Sequence, residues 1–370
     1  MTAKYKPFVN IEPGFYIEEE LEAKGWSKGD LATITGLNLS QISDIIHNKR
    51  PITIETAKLL GKTFNQSPQY WLNLYNNYKL RLDEATPIEN AAQTKSEILT
   101  HMPIADMVKK GWIGKWNNNL DKLIGSVKRF WDINELDFSF MDTRVDLAFK
   151  KSIAYEKYNY YFALTWYQMA KKCSASLNVG EYNRKSLTHI ANNIAMYSYI
   201  PNGLDVFIEE LKKAGVKFFV LPHLDKTYTD GAAFWDGDNP VIVWTGRYKR
   251  VDNFWFTIAH EIAHILSHLC NKDSYIIDLE KMDSNQQEQE ANIFASTALR
   301  RNEILSFLGT RHITKLKILA CSEKFQISPS LIVGQLQHLK IIKPYQFRNM
   351  IESNFFENMP KSCFANIKAA

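Results

Sequence analysis

Apolar positions in the first eighty residues recur at spacings of three and four, the repeat of helices that bury one face. Ile17 and Leu21 after Pro13-Gly14 predict one helix, and Ser27 with Asp30 three residues on reads as a capping box opening a second through Leu31, Ala32 and Ile34. Gly36 then breaks the run. Asn38 followed by Gln41 caps a third helix buried through Ile42, Ile45 and Ile46, and Thr53 and Ser67-Pro68 begin a fourth and a fifth. From about residue 83 to 199 helical spacing continues with Trp112, Trp116, Phe130, Trp131 and Trp166, which read as packing residues; this stretch is expected to space the two ends apart. From Gly215 the period changes. Val216 to Leu221 is a short apolar run, and Ala232 to Trp244 reads as two strands joined across Asp236-Gly237-Asp238-Asn239, together a small antiparallel sheet. Helical patterns follow over 253–269, over 285–299 and, after Arg311, through Ile327-Ser328-Pro329 to Leu336 and Leu339.

A chain of 370 residues exceeds what one ordinary core serves, so two or three domains are expected. Hydrophobic residues at 45% and charged residues at 23% place it among folded globular chains and away from disorder. No apolar run reaches membrane-helix length and the start, Met1 to Lys6, lacks an apolar signal segment, so a cytoplasmic protein without membrane contact is expected. Cys173, Cys270, Cys321 and Cys363 lie far apart without a CxxC pair, which suits reduced thiols and leaves a metal to other ligands. The net charge of +5 permits nucleic-acid contact without demanding it.

Two short helices joined by a tight glycine turn, with others packed on them, form the pattern of a helix-turn-helix domain. The outward positions of its second helix are Ser40, Gln41, Asp44 and His47, followed by Asn48, Lys49 and Arg50: hydrogen-bonding groups for bases and cations for phosphates. Against this, Asp44 lies on the reading face and, up to Arg81, basic residues exceed acidic ones by only two, so a helical protein-binding module is the alternative on periodicity alone. Glu12-Pro13-Gly14, the Gly36 turn, the run Ile45 to Arg50 and the run Ser67 to Leu74 resemble the HigA-type antitoxin repressors of the XRE class, over nearly this whole segment. The resemblance implies operator DNA as a partner, a toxin as a possible second partner and binding as a homodimer.

The helix over 253–269 carries His260-Glu261-Ile262-Ala263-His264, an HExxH sequence. Positions four apart share a helix face, so His260 and His264 can hold one Zn²⁺ while Glu261, one step round, acts as the base of a metal-assisted hydrolysis. The apolar neighbours Phe256, Ile258, Ile262, Ile265 and Leu266 bury the helix, and buried histidines need partners. A third ligand is expected from the helix over 285–299. Glu288 shares a face with the small Ala291 and Ala295, which would let the helices approach closely, whereas Glu290 falls about 200° away at 100° per residue and stays as the substitute. His268 repeats the four-residue step and reads as a packed histidine outside the ligand set or one that orients a ligand or the substrate. Tyr275 and His223 are candidates for the oxyanion stabiliser.

Gly231-Ala232-Ala233-Phe234, the strand end Ile242-Val243, the run Phe256 to His264, His268 and the ExxANxFA pattern from Glu288 to Ala295 resemble the ImmA/IrrE metallo-endopeptidases over roughly 200–310. This implies a zincin-like peptidase with His260, His264 and Glu288 as ligands and Glu261 as base, acting on a repressor or antitoxin. The chain departs at Ala263, where that family usually has Gly, and at Leu299-Arg300-Arg301; neither change is expected to touch the chemistry. A multidomain protein is predicted: an all-α helix-turn-helix domain over 1–82, a helical middle over 83–199, an α+β zincin-like core over 200–310 and a C-terminal helical subdomain over 311–370. Its expected function is DNA-binding regulation joined to zinc-dependent cleavage of a regulatory protein, which includes another copy of the chain. The alternatives are an antitoxin or repressor whose degenerate peptidase domain binds a toxin, and an interaction protein that holds a toxin without DNA.

Overall fold

The computed structural model describes residues 10–82, 87–142, 158–269, 275–279, 286–352 and 354–367, and the side chains of these except 87, 88 and 275–279. Two compact units divide the chain, Met1–Thr94 and Lys95–Ala370.

The first unit holds helices α1 (Pro13–Lys24), α2 (Lys28–Thr35), α3 (Leu39–Ile46), α4 (Ile54–Phe64) and α5 (Pro68–Leu82). Local chemistry sets their ends. Ser27 and Asp30 form a reciprocal capping box at α2, and Asn38 and Gln41 form another at α3, satisfying backbone donors that a helix start leaves open. Between them Gly36 takes φ 74°, the left-handed conformation that lets the chain reverse tightly. Ile17, Leu21, Leu31, Ile42, Ile45 and Trp71 share one core. Gly14 permits the closest approach in this unit: an added Cβ would lie 1.7 Å from the Ile46 carbonyl oxygen.

Helix α6 (Pro87–His101) runs across the division, and the second unit continues with α7 (Ile104–Lys109), α8 (Leu120–Trp131), α9 (Tyr160–Ser174), α10 (Arg184–Asn192), α11 (Ile194–Tyr199) and α12 (Gly203–Lys213). Strands β1 (Lys217–Val220), β2 (Thr229–Asp236) and β3 (Asn239–Trp244) follow, then α13 (Val251–Ser267), β4 (Tyr275–Leu279), α14 (Gln286–Ala298), α15 (Arg301–Leu308), α16 (Lys315–Phe325) and α17 (Pro329–His338). The strands form one sheet in the order β1-β3-β2-β4. The hairpin β2–β3 is antiparallel and turns at Gly237, as its residues predict. The expectation of an antiparallel sheet is corrected at β1, which pairs parallel to β3 with Phe219 opposite Val243. Strand β4 adds a further antiparallel edge that the apolar pattern did not announce.

Successive strand residues point to opposite faces, and here both faces are covered. Phe218, Val220, Ala233, Ile242 and Trp244 belong to a core with α13 and the C-terminal helices α16 and α17. Phe219, Ala232, Phe234, Val241 and Val243 belong to another, shared with Ile98, Met107, Trp112, Val127, Phe130 and Trp166 of the preceding region. The middle stretch is therefore part of the folded unit and not a spacer: through α9 it forms a layer whose aromatic residues pack on the sheet, while α10 and α11 join the opposite core beside α13. Helix α13 lies against β2 and β3 through residues such as Phe254, Ile258 and Ile262, and α14 packs along it.

Candidate metal centre

Helix α13 is apolar around most of its circumference and is held on several sides, so its polar residues are buried with it. His264 and Glu261 are fully buried and His260 and Glu288 nearly so. Helix α14 presents Glu288 to this face because Ala291 and Ala295 are fully buried and let the two backbones approach. His260 Nε2 and His264 Nε2 stand 2.9 Å apart; Glu288 places Oε2 3.1 Å from the first and Oε1 3.6 Å from the second. One ligand atom from each of the three lies within 4.8 Å of the others. Zinc bonds of about 2.0–2.1 Å in a tetrahedron imply ligand separations of roughly 3.3 Å, so two imidazoles and a carboxylate at these distances fit that ion.

Electrostatics supports the same donor set. Burial works to raise the Glu288 carboxyl, but contact with the rings of His260 and His264 outweighs it and holds the group at about 2. Burial pushes the His264 imidazole down more strongly than Glu288 pulls it up. A carboxylate beside a neutral imidazole is the protonation state in which these groups bind a metal. Asn292, one helical turn beyond Glu288, sets its Oδ1 3.1 Å from His260 Nδ1, where it accepts the ring proton and leaves Nε2 directed at Glu288.

Glu261 points to the sheet side of the same space. Gly231 in β2 lies against it so closely that a Cβ there would come 2.5 Å from Glu261 Oε1 and 2.7 Å from Thr257 Cγ2. Glu290 takes a different course from Glu288: its side chain is 50% exposed, against 9% for Glu288, and it meets His268 rather than the cluster. His223 is buried enough to push its imidazole down, with Lys110 and Arg247 acting in the same direction. Tyr275 opens β4 but its side chain, like Cys270, lies outside those described. Of the residues where the sequence departs from the resembling family, Ala263 is buried, while the Arg301 guanidinium stands 5.8 Å from the Phe256 ring, itself 6.4 Å from the ring of His260. The change at 301 therefore reaches the neighbourhood of the cluster, more than its sequence position announced.

In the first unit, Ser40, His47, Lys49 and Arg50 are exposed along and just beyond α3. Gln41 and Asn48 have structural partners. Gln41 Oε1 accepts from the Asn38 backbone N–H at 3.1 Å, and Asn48, at φ 58°, donates through Nδ2 to Glu12 Oε2 at 2.8 Å. Glu12 also accepts from Tyr78 OH, so Asn48 fastens the end of α3 to the rest of its unit. Asp44 is half-buried, and its carbonyl oxygen accepts from the backbone N–H groups of Lys49 and Arg50.

A two-helix turn motif in one unit and a histidine–glutamate cluster between packed helices of an α+β unit define a two-part protein. Comparison with known families agrees. The helix-turn-helix model matches residues 17–71, and the M78 peptidase model, described as IrrE N-terminal-like domain, matches residues 203–336. The chain belongs to the helix-turn-helix family through its N-terminal part and carries an M78 peptidase-family domain of the IrrE N-terminal-like kind. Among curated proteins it is similar to an uncharacterized HTH-type transcriptional regulator of Haemophilus influenzae, 38% identical over 63 residues, which are 17% of this chain and 59% of that one. Virulence-associated protein I of Dichelobacter nodosus is 36% identical over 75 residues, 20% of this chain and 69% of that one. Virulence-associated protein A' of the same organism is 33% identical over 69 residues, 18% of this chain and 60% of that one. No helix among the described residues is long and apolar enough to cross a membrane.

Proposed function

We propose that the chain is a DNA-binding regulator whose second unit is a zinc-dependent endopeptidase acting on a regulatory protein. The observation that carries the peptidase reading is the buried set of His260, His264 and Glu288 with Glu261 one residue along the same helix. In this reading the two Nε2 atoms and the Glu288 carboxylate hold Zn²⁺. The ion, when bound, polarises the scissile carbonyl and makes a water molecule more acidic. Glu261 takes the proton of the attacking water as its oxygen bonds to the carbonyl carbon, and returns a proton to the amine nitrogen as the C–N bond breaks. Burial of these groups excludes bulk water and strengthens each electrostatic contact.

For the first unit, exposed Ser40, His47, Lys49 and Arg50 support operator binding by α3. Such helices bind inverted repeats as dimers, so a homodimer on the operator is the matching assembly, with another copy of the chain or a promoter-associated repressor or antitoxin as the peptidase substrate. Neighbouring toxin is a further partner in this reading.

Glu261→Gln tests the enzyme directly. Gln keeps the shape of Glu but cannot accept the proton, so cleavage of a coexpressed substrate should fall by about 10²–10⁴-fold while zinc content, read by elemental analysis, stays near that of the unaltered chain. His264→Ala and Glu288→Gln should lose or weaken the metal. Identical fragments from Glu261→Gln and the unaltered protein would replace this reading with the non-catalytic, toxin-holding one.

A further inference from the structure

We propose that His268 and Glu290 form a relay that fixes which nitrogen of His264 carries its proton, and thereby sets the affinity of the metal centre. The proposal rests on the reading of His260, His264 and Glu288 as ligands. An imidazole binds a metal through a nitrogen that bears no hydrogen, and in a neutral ring that requires the proton to sit on the other nitrogen.

The two ligand histidines reach this state by different means. His260 faces an amide oxygen, Asn292 Oδ1, which only accepts; its proton is therefore held on Nδ1. His264 faces another imidazole, with Nδ1 2.9 Å from His268 Nδ1. That contact holds one proton and is satisfied with the proton on either ring. If it belongs to His264, Nε2 of His264 is bare and points at the cluster. If it belongs to His268, the proton of His264 sits on Nε2, aimed at His260 Nε2 2.9 Å away, and blocks the position a cation would take.

Glu290 removes the ambiguity. Its Oε2 lies 3.0 Å from His268 Nε2, and a carboxylate only accepts, so a proton of His268 is held on Nε2 and a ring with that single proton accepts at Nδ1. Gln286 donates to the other carboxylate oxygen at 2.8 Å, which steadies a side chain otherwise half in solvent. The chain Glu290–His268–His264 thus passes an orientation inward, with one proton for each contact. Glu290 and His268 are positioning residues: they touch the centre only through His264. They explain why two glutamates two residues apart on α14 have distinct places, one at the cluster and one at the end of the relay.

The test is zinc affinity of the full chain, measured by competition with a chelator of known affinity, alongside thermal midpoints of the metal-free proteins to establish that each variant is folded. Glu290→Leu and His268→Phe should each weaken zinc by about 10- to 100-fold, the usual cost of losing an outer partner of a ligand. Glu290→Gln, which keeps an accepting oxygen, should stay close to the unaltered chain. Because the two residues act in series, the double change His268→Phe with Glu290→Leu should be no worse than His268→Phe alone. A second readout, independent of activity, is the nitrogen chemical shifts of labelled histidines in the zinc-loaded protein, which should show His268 protonated on Nε2 and His264 on Nδ1. Zinc affinity within twofold of normal in Glu290→Leu, or additive losses in the double variant, would overturn the relay. Loss of zinc in Glu290→Gln together with full occupancy in Glu288→Gln would instead show that the ligand reading is wrong, as would an unaltered chain that takes up no zinc, and the relay would fall with it.

Discussion

Gly231 shows how much of the centre depends on a side chain that is missing. A methyl group there would meet Glu261 Oε1 at 2.5 Å and Thr257 Cγ2 at 2.7 Å, closer than carbon atoms approach such neighbours, so the carboxylate of Glu261 or strand β2 must move. The three nearest atoms belong to Glu261 and Thr257, none of them to His260, His264 or Glu288. Gly231→Ala is therefore expected to retain zinc while cleavage falls by about 10²-fold, the scale of a misplacement near 1 Å. Metal analysis beside a cleavage assay checks both halves; loss of zinc with the activity would point to a general collapse of the site instead. In the sequence Gly231 stood out only through resemblance, because contact between a strand and a helix thirty residues later is not written in local spacing. The spacing of His260, Glu261 and His264 was readable since one helix holds all three. Glu288 was readable with them through the small residues on its own face. The contact of Glu290 with His268 was not, because it depends on which neighbour the exposed side of α14 meets.

At the scale of elements, the helix starts were the most legible features, since a cap is a bond between residues three apart. Ser27 with Asp30 and Asn38 with Gln41 both form the reciprocal contacts their spacing predicts. The cap at α3 also changes what its mutants report. Gln41 uses Oε1 to hold the Asn38 N–H, so Gln41→Ala should lower the stability of the reading helix as well as any base contact, and is a poor probe of specificity alone. Arg50 carries no such double duty in the capping contacts. Arg50→Ala should weaken operator binding by the full chain about equally across DNA sequences and reduce the slope of log affinity against log salt by about 1, as loss of one phosphate contact does. Gel-shift titrations at several salt concentrations measure that slope; an unchanged slope would remove Arg50 from the interface. Asn38→Ala, which removes the cap itself, should cost about 1 kcal/mol in the unfolding of this unit, read by denaturant titration. The sheet was less legible: the hairpin is local and was readable, but the parallel pairing of β1 with β3 joins strands separated by another strand, and only the covered faces reveal it.

The molecule as a whole is organised by which surfaces need covering. Helical periodicity in the middle region marked buried faces without naming what they bury, so those helices could pass for a connector. Those from α6 to α9 lie instead on the face of the sheet opposite α13, where Phe219, Ala232, Phe234, Val241 and Val243 are buried among Ile98, Met107, Trp112, Phe130 and Trp166. A chain beginning at residue 200 keeps the HExxH helix, α14 and the C-terminal helices, yet strips that cover. Exposing side chains the size of Val or Phe costs roughly 1.5–3 kcal/mol each, so the four large ones among these sheet residues alone amount to on the order of 10 kcal/mol. That matches the whole stability of an ordinary domain, about 5–15 kcal/mol. The shortened chain is therefore expected to lack a cooperative thermal transition and to hold little zinc, because β2, which supports Glu261 through Gly231, sits in the uncovered sheet. A chain of residues 95–370 retains both cores and should fold with about one zinc per molecule. Circular dichroism melts and metal analysis of the two compare them directly. Equal midpoints and equal zinc in both would mean that the middle helices are dispensable to the peptidase unit, and the layered account of its stability would have to be given up.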